Sequence, residues 1–317
     1  EISRFLSQFQ VTRFGRDLEG NYWATSAGSG LIQIPALNVH TYDYTSVLDN
    51  ENIITTIQVD SSILVHGTNA GKIILHHLIE NKIDVLDLNL RSEVLSLAIS
   101  TNRDTLYAYC DALYQINFRD LQILNTIEVT SIKNMEVHKD DLVLGSRNRI
   151  LKFVNGQIFQ EEELGWNLSL LYVSSQKQFL TSTKKGLFWY NPISSNIDSV
   201  KLEGIETDRS ITDLHLNQEF IYFLHDFQSV YRFNIDLTEK EIIYRHPTRN
   251  IDGIHLIDNS LIVNLRDTSL VLNEQSILTH TLTRNNGLNE AHTNSVFRAD
   301  QNILFVHQPY NHHPRRL

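Results

Sequence analysis

Short apolar runs alternate with turn residues from one end of the chain to the other. The clearest example is Asp17 to Ile34, DLEGNYWATSAGSGLIQI. Its alternating large residues, Tyr22 to Ser26, predict a half-buried strand. Gly20-Asn21 and the pair Gly28 and Gly30 supply the positive φ that tight turns need on either side. A third strand follows over Leu31 to Ile34.

The same pattern recurs in worn form. The central strand returns as Ile63-Leu64-Val65-His66-Gly67-Thr68, Leu106-Tyr107-Ala108-Tyr109, Leu142-Val143-Leu144-Gly145-Ser146 and Phe179-Leu180-Thr181-Ser182-Thr183. It returns again as Ile221-Tyr222-Phe223-Leu224, Leu261-Ile262-Val263-Asn264 and Ile303-Leu304-Phe305-Val306. The interval is roughly 40 residues, the spacing of propeller blades. A strand precedes each, as in Ile53 to Val59, Ile132 to Val137, Leu168 to Val173 and Ile211 to Leu216. Another follows, often led by a small residue, as in Gly71-Lys72-Ile73-Ile74 and Gly186-Leu187-Phe188-Trp189. A more polar fourth strand closes most units, Val39 to Tyr44 and Ile242 to Tyr244 among them.

Four antiparallel strands per unit make one blade. Such a sheet cannot bury both faces alone, but stacked radially each blade covers its neighbours. The expected fold is therefore all-β, a seven-bladed β-propeller of four-stranded antiparallel blades with a partial eighth unit at the C-terminus. The expected division is a propeller over 1–290 and a partial blade over 291–317. That partial unit either closes the ring or opens a following propeller.

Composition narrows the class of function. The formal charge is -10, which argues against a nucleic-acid-binding face. Cys110 is the only cysteine, so an internal disulfide and a thiolate metal cluster are both excluded. No long stretch lacks charge, so no membrane span is expected. The chain opens on Glu1 with no basic-then-apolar leader, as an excised or mature segment would.

Asp17-Leu18-Glu19-Gly20-Asn21-Tyr22-Trp23-Ala24-Thr25 resembles the D-x-x-G-N-x-W-x-G-T blade signature of two-component-regulator propellers. Gly186-Leu187-Phe188-Trp189-Tyr190-Asn191-Pro192 is similar to the third strand of that repeat. Asn286-Gly287-Leu288-Asn289, followed by Asn294-Ser295-Val296-Phe297, is similar to its x-x-G-L-x-x-N-x-V blade entry. Unit three departs from the signature, with Asn102-Arg103-Asp104-Thr105 and Tyr107 in place of the Gly-Asn turn and the Trp. The resemblance implies the periplasmic sensor region of a hybrid histidine kinase or related bacterial regulator. It implies a glycan-type ligand, self-association in a receptor dimer, and a membrane reached only through segments outside this chain.

Candidate chemistry is sparse. No HExxH, paired-cysteine spacing, Gly-x-Ser-x-Gly elbow or phosphate-binding glycine loop is present. His76-His77 and His312-His313 are adjacent pairs whose members point to opposite faces of a strand. His215 and His255 hold the same place in two successive first strands and could meet beside the channel. Asp17, Asp60 and Asp300 suit Asx-turns, and Glu161-Glu162-Glu163 reads as a solvated loop. The best constellation lies in the loops joining second to third strands. These supply Arg147 and Arg149, Lys184 and Lys185, and Arg266, with Trp166 in a blade-entry loop between units four and five. Such a cationic rim suits an anionic ligand, and the indole a sugar ring. Ordinary solvated charges beside a packed Trp are the alternative.

The expectation is thus a non-catalytic, extracytoplasmic ligand-sensing module without a cofactor or metal. Its ligand would be a small molecule or oligosaccharide, neutral or anionic. A carbohydrate-active propeller enzyme and a protein-interaction scaffold are the alternatives.

Overall fold

A computed structural model describes residues 10–16, 22–28, 30–34, 42, 44–49, 51–139, 141–154, 156–206, 209–248, 250–283, 292–299 and 302–308. The Asp17–Asn21 turn, Asn286–Asn289, Asp300 and His312-His313 lie outside them.

The first unit is a sheet of three strands, β1 (Val11–Arg16), β2 (Tyr22–Ser26) and β3 (Gly30–Ile34). A four-residue helix, α1 (Thr45–Leu48), leads into the second unit. That unit comprises β4 (Ile53–Asp60), β5 (Ile63–Thr68), β6 (Lys72–His77) and β7 (Lys82–Asp87). The third has β8 (Ser96–Ile99), β9 (Thr105–Tyr109), β10 (Leu113–Asn117) and β11 (Ile123–Ile127). The fourth has β12 (Ile132–His138), β13 (Asp141–Ser146), β14 (Arg149–Val154) and β15 (Gln157–Glu163). The fifth has β16 (Asn167–Val173), β17 (Gln178–Thr183), β18 (Gly186–Tyr190) and β19 (Ile197–Val200). The sixth has β20 (Ile211–Leu216), β21 (Phe220–His225), β22 (Ser229–Asn234) and β23 (Lys240–Arg245). The seventh has β24 (Gly253–Ile257), β25 (Ser260–Leu265), β26 (Thr268–Leu272) and β27 (Leu278–Leu282). A last pair, β28 (His292–Ala299) and β29 (Asn302–Gln308), completes the order.

Each sheet is an antiparallel meander in which every strand pairs with the next. The first strands touch in a closed cycle, β4 to β8, β12, β16, β20, β24 and β28, and from β28 back to β4. This is a seven-bladed β-propeller, with the trailing pair seated between β24 and β4. The β1–β3 sheet takes no place in that cycle, and its Phe14 and Leu31 are exposed.

The core sits at the seams between blades. Val65 and Ile73 meet Leu97 and Leu106 across one seam, and Leu180 and Leu187 meet Phe223 and Phe233 across another. Second strands are therefore buried along nearly their whole length: β5 and β13 are each buried from their second residue to their last. Burying each Val, Leu, Ile or Phe side chain at a seam contributes about 1.5–3 kcal/mol. Fourth strands are edges and tolerate charge, as the exposed Lys240 and Glu241 of β23 show.

Two local expectations are corrected. Glu161-Glu162-Glu163 is not a loop but the end of edge strand β15, where solvent access lets a strand carry charge. Tyr44 does not end a fourth strand; it precedes α1, whose first turn is closed by the bond from Leu48 N to Tyr44 O at 3.0 Å. Asp60 does form its expected Asx-turn, accepting from Ser62 N at 2.8 Å and Ser62 Oγ at 2.7 Å.

A bulge recurs early in the first strands. The register slips between Ile53 and Thr55, Ile132 and Asn134, Asn167 and Ser169, and Thr212 and His215. The extra residue re-aims a side chain towards the neighbouring blade. Ser169 Oγ thereby accepts from Leu214 N at 3.2 Å, across a blade boundary.

Candidate functional site

In an antiparallel meander, the loops joining second to third strands share one end of the ring with the loops between blades. Arg147 stands in the turn after β13, Lys184 and Lys185 in the turn after β17, and Trp166 in the loop between β15 and β16. The fold brings three of these residues together and adds a fourth. The Lys184 Nζ lies 4.8 Å from the Trp166 ring centroid, the Arg147 guanidinium carbon 5.2 Å, and the Lys133 Nζ 5.5 Å. Lys133 comes from the start of β12.

Backbone bonds tie these turns to one another. Lys184 N donates to Trp166 O at 3.0 Å, Leu164 N to Asn148 O at 3.0 Å, and Arg147 N to Ser131 O at 2.9 Å. Gly165 takes φ 92°, the left-handed region that glycine enters at little cost. A Cβ there would stand 3.0 Å from Lys185 Cγ, so the Lys185 stem lies across this glycine at the edge of the group. The segments that carry the cations thus also fix the indole.

The remaining rim residues lie apart. Arg149 is on strand β14 and pairs with Glu163 at 3.3 Å. Arg266 is exposed in the β25–β26 turn, with the whole β20–β23 blade between it and the fifth. Lys133 carries no sequence signal of its own; only its place at the head of a first strand marks it.

A second group stands on the first strands that ring the centre of the fold. Glu136 opposes Val143, His215 opposes Tyr222 and His255 opposes Ile262. Each partner is the third residue of a six-residue second strand, so the three side chains stand at one level of the ring. Burial alone pushes the Glu136 carboxyl up to about 7. Burial, then the nearby His215, brings His255 down to about 3. Burial also lowers His215, against the opposing pull of Asp213 and the Ile254 carbonyl. The two imidazole centroids are 6.0 Å apart. No group of three or more metal-binding side chains occurs among the described residues.

A third polar cluster fixes the entry to the ring. Tyr44 Oη lies 2.7 Å from His76 Nδ1 and 3.0 Å from His66 Nε2. His76 Nε2 faces Asn81 Oδ1 at 3.3 Å, and His66 Nδ1 faces Thr56 Oγ1 at 2.9 Å. A carbonyl oxygen only accepts, so neutral His76 carries its proton on Nε2 and its Nδ1 accepts from Tyr44. Tyr44 oxygen then accepts from His66 Nε2–H, and Thr56 donates to His66 Nδ1. Lys72 adds an ionic clasp, 2.9 Å from both Asp49 and Glu51.

No protein-family model matches the chain, and no curated protein sequence matches it. Solved structures do. The β-propeller domain of Cps50 (Swd1) from Myceliophteria thermophila aligns with a TM-score of 0.65 at 12% identity, over 81% of this chain and 96% of that one. The WD40 β-propeller domain of Doa1 gives 0.64 at 12% identity, over 81% and 89%. The extracellular domain of the putative one-component system BT4673 from B. thetaiotaomicron gives 0.58 at 18% identity, over 82% of this chain and 39% of that one. At such identities the likeness is one of fold. It spans β-propeller domains, one of them of WD40 type, and the extracellular domain of a putative one-component system. Among the described residues no helix is long and apolar enough to cross a membrane.

Proposed function

We propose that this chain is a non-catalytic ligand-recognition module of the two-component-regulator propeller type. It would form part of the periplasmic region of a bacterial signalling receptor and respond to a glycan or its breakdown product. The observation that carries the reading is the gathering of Lys133, Arg147 and Lys184 on Trp166 at one end of the ring. Cross-tied turns hold binding groups in place better than free loops do. The resemblance of Asp17 to Thr25 to the sensor signature and the fold shared with the BT4673 extracellular domain support the same reading. A ligand seated there shifts the packing of two receptor chains only if it binds one arrangement more tightly than the other.

The test is calorimetry against neutral and acidic oligosaccharides, with and without Ca²⁺, with product analysis of the same samples. Saturable binding without turnover supports a sensor; silence across the panel shifts the reading towards a scaffold.

A second reading, a carbohydrate-active propeller enzyme, has one observation in its favour. Glu136, His215 and His255 stand at one level of the ring of first strands, and their proton affinities are displaced in the manner of acid–base groups. Turnover abolished by Glu136→Gln would establish it.

A further inference from the structure

The geometry points to a compact oxyanion of the sulfate or phosphate class as the group that the Trp166 cluster holds. Lys133, Arg147 and Lys184 are its ligating cations, and the indole is their scaffold. The inference rests on the recognition reading above and names the chemical group recognised.

The three cations come from three segments, the head of β12 and the turns after β13 and β17. All three are exposed, and none forms an ion pair among the described residues. Several arginines elsewhere on this acidic chain find carboxylates: Arg103 pairs with Asp60, Arg119 with Asp104, Arg149 with Glu163 and Arg232 with Glu241. With a formal charge of -10 there is no shortage of acidic partners. Trp166 is the only ring among the described residues with more than one cation over it, and its three stand within 5.5 Å of the ring centroid without a carboxylate between them.

Like charges at this spacing repel. The negative face of an indole offsets part of that repulsion. An anion among them would offset the remainder. Arg147 offers a planar fork that matches two oxygens of a tetrahedral anion, while the two lysines act as mobile point charges. The same placement argues against a sugar ring stacked on Trp166, because the cations stand over the ring where a sugar would lie. Arg149, already paired, and Arg266, a blade away, take no part.

The experiment is calorimetry on the whole chain at constant ionic strength, set with chloride. Its arms are inorganic sulfate, inorganic phosphate, a monosaccharide sulfate and the same monosaccharide without sulfate. Saturable binding is expected in at least one oxyanion arm. Arg147→Ala and Lys184→Ala should each weaken it roughly tenfold, and Arg266→Ala should leave it unchanged. Trp166→Leu should weaken it without removing any charge. Circular dichroism confirms that each variant is folded. Binding of the monosaccharide sulfate alone would identify an ester group as the source; binding of the inorganic ions would identify the free anion. Silence in all three oxyanion arms overturns the inference, as does equal binding of the unsulfated sugar. A neutral oligosaccharide bound amid that silence keeps the recognition reading and removes this one. Oxyanion binding with every oligosaccharide silent does the reverse.

Discussion

His215 Nε2 donates to the backbone oxygen of Ile254 at 2.8 Å, across the boundary between the β20 and β24 blades. Asp213 Oδ2 accepts from the N–H of the same Ile254 at 3.1 Å. The backbone of one residue of a first strand is thus held on both its polar groups by side chains of the neighbouring blade. Stranding such a group costs about 1–3 kcal/mol. His215→Ala and Asp213→Ala are each expected to lower unfolding stability by that order in urea titrations. Because the two act on one residue, the double variant should lose less than the sum of the singles.

Buried neutral histidines make the fold acid-labile. An unfolded histidine takes its proton near pH 6.5, whereas His66 and His255 stay neutral in the folded chain down to about 3. Their contribution is complete above 6.5 and is lost as pH falls from 6.5 towards 3. Glu136 works in the opposite sense. Its carboxyl is raised from 4.5 to about 7, so its contribution is complete below 4.5 and is lost as pH rises through 7. Urea midpoints should therefore fall on acidification below pH 6.5. Glu136→Gln should gain on the parent protein as pH rises from 4.5 past 7. A midpoint of the Glu136→Gln variant that stays flat on acidification below pH 6.5 would refute neutral burial of the histidines.

Gly145 is required by the two asparagines that close on it. A methyl group there would stand 2.1 Å from Asn134 Oδ1 and 2.5 Å from Asn167 Oδ1. Among the described residues neither oxygen has a hydrogen-bond partner, and the Asn167 amide is anchored through Nδ2, which donates to Thr181 Oγ1 at 2.5 Å. Gly145→Ala is expected to cost about 1–3 kcal/mol. Gly67→Ala should behave alike, with Val94 Cγ1 at 2.5 Å. Gly15→Ala, which meets nothing within 4 Å, is the control. Chemical denaturation of the three variants side by side decides the point.

Tyr44 joins two imidazoles through a single hydroxyl. Tyr44→Phe keeps the ring but leaves His66 Nε2 and His76 Nδ1 without their bonds of 3.0 and 2.7 Å. A loss of about 1–3 kcal/mol is expected. Hydrogen exchange in 44–49 should accelerate, because the segment would then be anchored only further along, through Lys72 to Val47, Asp49 and Glu51 and through Thr68 to Glu51. Imidazole nitrogen shifts by NMR should also report the loss of the fixed tautomers.

Cys110 reports opening of the fold. It is 4% exposed, and burial, then Asp111, pushes its thiol up to about 12. At pH 8 the native chain should react with an aromatic disulfide reagent only as fast as it unfolds, and at once in urea. Rapid reaction of the native chain would contradict the packing at the β8–β11 sheet.

The amino-acid sequence determined the blades. Strand alternation and turn chemistry are local, and the turn at Asp60 and strand β20 from Ile211 to Leu216 stand where the pattern put them. The sequence also placed Arg147, Lys184 and Trp166 at one end of the ring, because antiparallel strands alternate direction. Three things lay beyond it. Charge on an edge strand looks like charge in a loop, so Glu161-Glu162-Glu163 read as a loop. Lys133 stands over an indole 33 positions along the chain, a distance only the stacking of the β12 and β16 blades closes. The contact of β28 with both β24 and β4 depends on how many blades complete a turn. That number is set by the inter-blade angle, which arises from the packing of every seam and is written in no single repeat.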